Sequence, residues 1–195
     1  MTESERHSRL FDRIALPYSW FFSGQTRSYA ACFEAGRGAL PPPAGKKALD
    51  LGCGTGAFTA ALRKEGWETV GIDAAPAMVS VAGRRGIACA QGNLLKGLPY
   101  PDKSFDLVSA AYVAHGLVRE DRRLLFAEAG RLSRGVVLFH DYNGERSFLT
   151  DFIEWLEGGD YFNFIGTIAD ELRSAFSDLR IVPVGKQSAW YVCTP

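Results

Sequence analysis

From Lys46 onward, short apolar runs alternate with stretches whose apolar residues recur at helical spacing. Ala48-Leu49-Asp50-Leu51 reads as a strand, and residues 55–65 as a helix in which Phe58, Ala61 and Leu62 share one face. The pattern continues as strand 69–72, helix 76–84, strand 87–90, strand 105–111, helix 120–132 and strand 135–140. Such alternation predicts right-handed βαβ units and a parallel sheet covered on both faces. A ligand on such a sheet is expected at the carboxyl ends of its strands.

Both ends of the chain break this rhythm. Residues 9–36 carry apolar positions near helical spacing, interrupted at Pro17, which predicts two helices as an N-terminal appendage. A stretch at 36–45 containing Pro41-Pro42-Pro43 separates them from the sheet, because consecutive prolines cannot continue a helix. Toward the C-terminus, 147–157 and 165–176 read as helices. Residues 179–184 and 189–193 read as strands joined by Gly185-Lys186-Gln187-Ser188. A connection that short makes an antiparallel hairpin, since parallel partners need about a dozen residues between them.

Composition narrows the possibilities. The 195 residues hold 22 Lys+Arg against 22 Asp+Glu, so no polyelectrolyte partner is implied; 47% apolar and 12% aromatic content excludes global disorder. A single domain over residues 1–195 is expected, with its substrate pocket built from loops and short segments of that one fold. The charged start lacks the apolar stretch of a signal peptide, and no run approaches the ~18 apolar residues of a membrane span, so a cytosolic protein is expected. Cys32, Cys53, Cys89 and Cys193 form no C-x-x-C pair; all four are expected as reduced thiols, with no metal site. Lys46-Lys47 and Arg84-Arg85 are isolated basic pairs, expected in solvent.

The candidate chemistry begins between the first strand and the first helix, in Asp50-Leu51-Gly52-Cys53-Gly54-Thr55-Gly56-Ala57. Glycines there permit a tight turn, close approach of a ligand to the backbone, and outward-pointing amides at a helix start. Gly52, Gly54 and Ala57 satisfy the dinucleotide fingerprint. Three features argue against an NAD-dependent oxidoreductase. Asp50 would repel a pyrophosphate while attracting an ammonium. No Tyr-x-x-x-Lys pair occurs, and a second domain is not expected.

Residues 48–56 resemble the first motif of class I S-adenosylmethionine-dependent methyltransferases, in its D-x-G-x-G-x-G form. Val70-Gly71-Ile72-Asp73 ends the second strand on an acid 23 positions after Asp50, where the family holds the ribose hydroxyls. Ala74-Ala75-Pro76-Ala77-Met78 resembles the next segment, which flanks the adenine; Ala75 replaces a Ser and loses a helix cap. Gln91-Gly92-Asn93-Leu94 stands where the family has Gly-Asp and an apolar residue, and Asn93 retains an amide oxygen for the adenine amine. Leu98-Pro99-Tyr100-Pro101-Asp102-Lys103-Ser104-Phe105-Asp106 and Phe11-Asp12-Arg13-Ile14-Ala15-Leu16-Pro17-Tyr18-Ser19-Trp20 resemble runs of the small-molecule, ubiquinone/menaquinone-type branch.

The resemblance implies a Rossmann-like, doubly wound α/β fold. Its seven-stranded sheet would have order 3-2-1-4-5-7-6 with the last strand antiparallel. Residues 1–40 would be a helical lid, 46–142 the cofactor core, 143–177 substrate-side helices and 178–195 the terminal hairpin. S-adenosyl-L-methionine would be the cofactor, bound by Asp50 at the ammonium, Gly52, Cys53, Gly54 and Gly56 at the methionine portion, and Asp73 at the ribose, with Ala74, Met78, Asn93 and Leu94 around the adenine. The expected activity is in-line methyl transfer to a small-molecule acceptor, with no nucleic acid and no membrane span involved. A binding module that retains the nucleoside site without transfer is the alternative reading, supported by Asn93.

Several residues admit a structural reading as well. Asp73 suits a helix start, Met78 suits the core, and Tyr18 could staple the appendage to the sheet instead of excluding water as a lid. A base is needed only if the acceptor must lose a proton. His115, after the fourth strand, and His140, ending the fifth, are the candidates, and packing accounts for either. Strand alternation sends His140 and Tyr142 to one face and Asp141 to the other. Phe148, Phe152 and Trp155 with Tyr161-Phe162-Asn163-Phe164 form either an aromatic substrate wall or a helix packed on the sheet.

Overall fold

The computed structural model describes residues 22–145 and 161–195. The element order is α1 (Phe22–Ala35), β1 (Lys47–Leu51), α2 (Ala57–Lys64), β2 (Glu68–Asp73), α3 (Pro76–Arg84), β3 (Cys89–Gln91), β4 (Phe105–Ala111), α4 (Arg119–Leu132), β5 (Ser133–Tyr142), α5 (Tyr161–Ala175), β6 (Asp178–Pro183) and β7 (Ser188–Thr194). Short 3₁₀ turns lie at Leu94–Lys96 and Ala114–Gly116. The seven strands form one sheet of order β3-β2-β1-β4-β5-β7-β6. The first five are parallel, and β7 runs antiparallel to both β5 and β6. The expected sheet, order and terminal hairpin are therefore observed.

Alternation along the central strands sorts their side chains into two cores. Leu49, Leu51, Val108, Ala110, Val137 and Phe139 pack under α4 and α5. Ala48, Leu107, Leu138 and Trp190 pack under α1 and α2. Asp50, on a strand whose last four residues are all buried, must find its partners inside the protein. The structure supplies them.

The third strand begins two residues later than expected. Ile87 N donates to Ala82 O, which closes α3, and a Cβ on Gly56 would lie 2.7 Å from the Ile87 side chain. Ile87 is thus helix-end packing, and the ladder starts at Cys89. Helix α5 also begins earlier, and Tyr161, Phe164, Ile168 and Leu172 form its buried face. Tyr161 and Phe164 are therefore core residues, while Phe162 is exposed. Phe148, Phe152 and Trp155, the expected helix 147–157, and the N-terminal segment with Tyr18 lie outside the described residues.

The four cysteines are not four separate thiols. The loop after β1 folds over Gly71, which is paired in register with Cys89. The structure there joins Cys53 to Cys89 as a disulfide with Cα atoms 7.7 Å apart. Sequence spacing gives no hint of this, because Cys53, in the loop after β1, and Cys89, on β3, become neighbours only through the fold. Cys32 and Cys193 are free and buried. Arg85, expected in solvent, lies 4.1 Å from the centre of the Phe22 ring and ties the end of α3 to α1.

Ala75 occupies the N-cap of α3 in extended conformation, ahead of Pro76, and offers no side-chain cap. Ala75→Ser should place a hydroxyl where it accepts from the first-turn amides, adding about 1 kcal/mol and raising Tm by about 2–4 °C. Thermal denaturation followed by circular dichroism would measure the rise; an unchanged or lowered Tm contradicts the assignment.

Among the described residues, no helix is long and apolar enough to cross a membrane. Nor is there a cluster of three metal-ligating side chains among them.

Candidate active site

The carboxyl ends of β1, β2 and β4, with α1 above them, enclose one pocket. Its floor is the glycine-rich loop. Gly52 and Cys53 donate their amides to Ile72 O at 2.8 and 3.0 Å, turning the chain back onto β2. Gly52 (φ 69°) and Gly54 (φ 53°) adopt left-handed conformations that favour glycine. A Cβ on Gly52 would come 2.6 Å from Val113, whereas one on Gly54 would meet nothing within 4 Å. The first glycine is thus required by packing, and the second leaves its backbone bare beside the cavity.

Asp73 ends β2 and serves two structures at once. Its Oδ2 accepts from Gly54 N at 2.8 Å and its Oδ1 from Ala75 N at 2.8 Å, so the carboxylate tethers the loop and steadies the start of α3. A carboxylate oxygen can accept more than one hydrogen bond. The helix-start and ligand readings are therefore compatible. Met78 is likewise both things: it packs with Ala75 and Val81 in a small core and borders the pocket. Ala74, Leu94 and Asn93 complete this end, and Asn93 Oδ1 accepts from Leu95 N at 3.0 Å to cap the 3₁₀ turn.

Asp50 lies beneath the loop and is 1% exposed. Thr59 Oγ1 donates to its Oδ2 at 2.7 Å, and Ser109 Oγ, on the paired position of β4, to its Oδ1 at 3.0 Å. Burial nevertheless pushes its carboxyl up to about 7, the two hydroxyls offsetting only part of the lost solvation.

Thr55, between the second and third glycines, also borders the pocket. Its hydroxyl is buried without a hydrogen-bond partner among the described residues. A buried hydroxyl in that condition costs free energy unless something else meets it. Gln25 and Tyr29 of α1 line the same pocket. Sequence reasoning singled out none of these three. For Thr55, its place inside the glycine motif was an available signal; for Gln25 and Tyr29, α1 reaches the pocket only through the fold.

At the other end, Tyr112, Val113, His115, Gly116 and Leu117 form the wall after β4. His115 Nδ1 lies 2.8 Å from Asp141 Oδ1. His140 stands apart. It is 1% exposed, does not border the pocket, and accepts from Trp190 Nε1 at 2.9 Å through Nδ1. Its ring packs on Tyr29, Phe58 and Tyr112, and burial lowers its pKa to about 4. Asp141 faces the opposite side, as alternation predicts, but the Tyr142 ring turns toward His115, 4.9 Å away.

These residues suit the S-adenosylmethionine that the sequence resemblance implies. The carboxylate at the end of β2 matches a diol, the buried carboxylate under the loop matches an ammonium, and the unmet Thr55 hydroxyl and bare Gly54 backbone leave polar groups for an amino-acid moiety. Residues 49–139 match a family described as a methyltransferase domain. The chain is 36% identical over 109 residues to a demethylmenaquinone methyltransferase of Tropheryma whipplei, covering 53% of this chain and 42% of that protein. It is 35% identical over 100 residues to a malonyl-[acyl-carrier protein] O-methyltransferase of Serratia marcescens, covering 49% and 38%. It thus spans less than half the length of these relatives. Among solved structures, the DhpI-SAH complex superposes with TM-score 0.75 at 20% identity, over 98% of this chain and 96% of that one. A Thermotoga maritima S-adenosylmethionine-dependent methyltransferase does so with TM-score 0.74 at 20% identity, over 96% and 99%; both likenesses concern the fold. Motif, matched domain and sheet order agree: residues 49–139 carry a methyltransferase domain.

Proposed function

We propose that this protein methylates a small-molecule acceptor. S-adenosylmethionine would supply an activated methyl group. The protein's part is to hold donor and acceptor in line and exclude water. The observation that supports the reading is the continuity of the pocket: Asp73, Met78 and Asn93, Gly52–Thr55 and the wall holding His115 all line it. Asp73 would hold the ribose, Asp50 the ammonium, Thr55 and the Gly54 backbone the rest of the amino-acid portion, and Asn93, Leu94, Ala74 and Met78 the adenine. Tyr29 and Gln25 cover the site from α1. His140 is a packing residue in this scheme, because its ring is enclosed and its Nδ1 already accepts from Trp190. Net neutrality supports a small molecule over a nucleic acid, and the relatives named for a menaquinone precursor and a malonyl thioester support the same class.

Calorimetry with S-adenosylmethionine, S-adenosylhomocysteine and NAD tests the cofactor assignment: the first two bind and NAD does not. Incubation with isotope-labelled donor and a metabolite pool tests transfer. A labelled small molecule is expected; binding without any labelled product would identify a nucleoside-binding module instead.

Asp50 adds a pH signature. Below about pH 7 its carboxyl is protonated and offers an ammonium no charge; above it the anion attracts one. Affinity for S-adenosylhomocysteine should therefore rise between pH 6 and pH 8 by up to about tenfold. 5′-Methylthioadenosine, which lacks the ammonium, should show no such rise. Identical profiles for the two ligands would remove Asp50 from that role.

A further inference from the structure

We propose that Cys53 and Cys89 form a reversible redox site that opens to two thiols without unfolding the protein, and whose closed form holds the glycine-rich loop ready for the amino-acid end of S-adenosylmethionine. The ligand named here rests on the methyl-transfer reading above.

The pair is built across β2. Cys53 lies in the loop after β1 and Cys89 on β3, and β2 runs between those two strands. Their sulfurs meet over Gly71, the residue paired in register with Cys89. A Cβ on Gly71 would stand 2.6 Å from Cys53 Sγ and 3.1 Å from Cys89 Sγ, so a side chain there would hold the sulfurs apart. Gly71 does not adopt a left-handed conformation. Space for the sulfurs, and not backbone geometry, is what its missing side chain provides.

The surroundings favour exchange at this pair over the other cysteines. β3 is a three-residue strand at the edge of the sheet, where Cys89 is half-buried and its two successors are exposed. A small thiol or disulfide can therefore approach Cys89 along that edge, and accessible disulfides are the labile ones. Cys53 is buried, which makes Cys89 the sulfur that exchanges with solution. Cys32 and Cys193 are buried as well; burial raises both thiols, Cys193 to about 12, and leaves them little reactive thiolate.

The fold is held at this place without the bond. Gly52 and Cys53 donate their amides to Ile72 O, Gly54 N donates to Asp73, and β3 pairs with β2 through its own ladder. Opening the pair thus frees a loop and leaves the sheet intact. That loop is the pocket floor, and Gly52, Gly54 and Gly56 all take left-handed conformations in it. A segment so rich in glycine loses much conformational freedom when a ligand orders it. A covalent tie at Cys53 removes part of that freedom before the ligand arrives, which strengthens binding. The gain is modest, because the three amides already restrain the loop.

Closing the pair transfers two electrons to a low-molecular-weight disulfide such as oxidised glutathione. The Cys89 thiolate attacks one glutathione sulfur, forms a mixed disulfide and expels a glutathione thiolate. The Cys53 thiolate then attacks Cys89 Sγ, forms the Cys53–Cys89 bond and expels the second glutathione thiolate. The two cysteine protons end on the two glutathione thiols. Opening by reduced glutathione is the reverse.

The chain, equilibrated in mixtures of reduced and oxidised glutathione, quenched with acid, alkylated and mapped by mass spectrometry, should show Cys53 and Cys89 converting together. Cys32 and Cys193 should stay thiols throughout, and circular dichroism spectra of the two forms should coincide. By calorimetry, the closed form should bind S-adenosylhomocysteine about 3- to 10-fold more tightly than the open form. 5′-Methylthioadenosine, which lacks the amino-acid portion, should bind both equally. Cys89→Ala, which lies outside the pocket, should bind S-adenosylhomocysteine as the open wild type does in either buffer. A pair that opens only on unfolding, or cysteines that stay thiols in oxidised glutathione, overturns the proposal. Equal S-adenosylhomocysteine affinity in the two forms, or the same shift for 5′-methylthioadenosine, overturns it too. If Cys89→Ala does not fold, the two wild-type forms decide. If neither form binds S-adenosylhomocysteine, the methyl-transfer reading fails and the proposed role of the closed loop fails with it.

Discussion

Asp73→Ala is expected to weaken S-adenosylhomocysteine binding by about 100-fold or more, measured by titration calorimetry. Two hydrogen bonds from ribose hydroxyls to a carboxylate contribute about 1.5–3 kcal/mol each, and about 1.4 kcal/mol corresponds to tenfold in affinity. The substitution does more than remove them. Gly54 N loses the acceptor that ties the loop to β2, and Ala75 N loses the one that steadies the start of α3. The amino-acid and nucleoside ends of the site should therefore weaken together. S-adenosylhomocysteine should lose more affinity than adenosine, which does not use the loop. An affinity within threefold of wild type would remove Asp73 from the ligand site and leave only its structural contacts.

Glu171→Ala should destabilise the protein by about 3–5 kcal/mol, because it removes the carboxylate paired with a buried guanidinium. Arg122 is 1% exposed and bonds Glu171 through Nε and Nη2, both at 2.8 Å. Its Nη1 donates to Leu117 O in the pocket wall, so the pair joins α4, α5 and the loop after β4. At about 2–4 °C per kcal/mol for a chain of this size, Tm should fall by roughly 10 °C. Replacing both partners with apolar residues, Arg122→Met with Glu171→Leu, should recover most of the loss, since no buried charge remains. A Glu171→Ala protein with unchanged Tm, or a double variant less stable than the single one, would contradict this account.

A wider consequence concerns the acceptor end. Leu117 and His115 lie on one short segment, held from one side by Arg122 and from the other by Asp141. The end of the pocket proposed for the cofactor is tied separately, through Asp73 to the glycine-rich loop. Substitutions at Arg122 or Glu171 should consequently disturb acceptor binding before cofactor binding, and the two affinities can be followed independently.

Much of the fold was legible because it is written in local patterns. Residues 48–51 and 105–111 are almost wholly apolar, as strands covered on both faces must be, and Phe58, Ala61 and Leu62 repeat at helical spacing. The four-residue link at 185–188 dictated a hairpin. The glycine motif, Asp50 and Asp73 were legible for a related reason: a turn that admits a ligand requires particular residues at fixed spacing along the chain. Boundaries were less legible. Strand 87–90 shifted because Ile87 is claimed by the end of α3 and by Gly56, a competition among neighbours in space.

By itself, then, the sequence determined a parallel sheet with an antiparallel terminal hairpin and a glycine-rich turn at the carboxyl end of β1, since these depend on periodicity and short-range spacing. Tertiary structure decided what depends on distant segments meeting. It separated two histidines that the sequence treated alike, enclosing His140 beside Trp190 and setting His115 on Asp141 at the pocket wall. It joined Cys53 to Cys89, brought Gln25 and Tyr29 over the site, and left the Thr55 hydroxyl buried without a partner among the described residues. Periodicity assigns a side chain to a face of the sheet. Its neighbours there come from segments dozens of residues away, and those neighbours determine whether a polar group is satisfied or left open for a ligand.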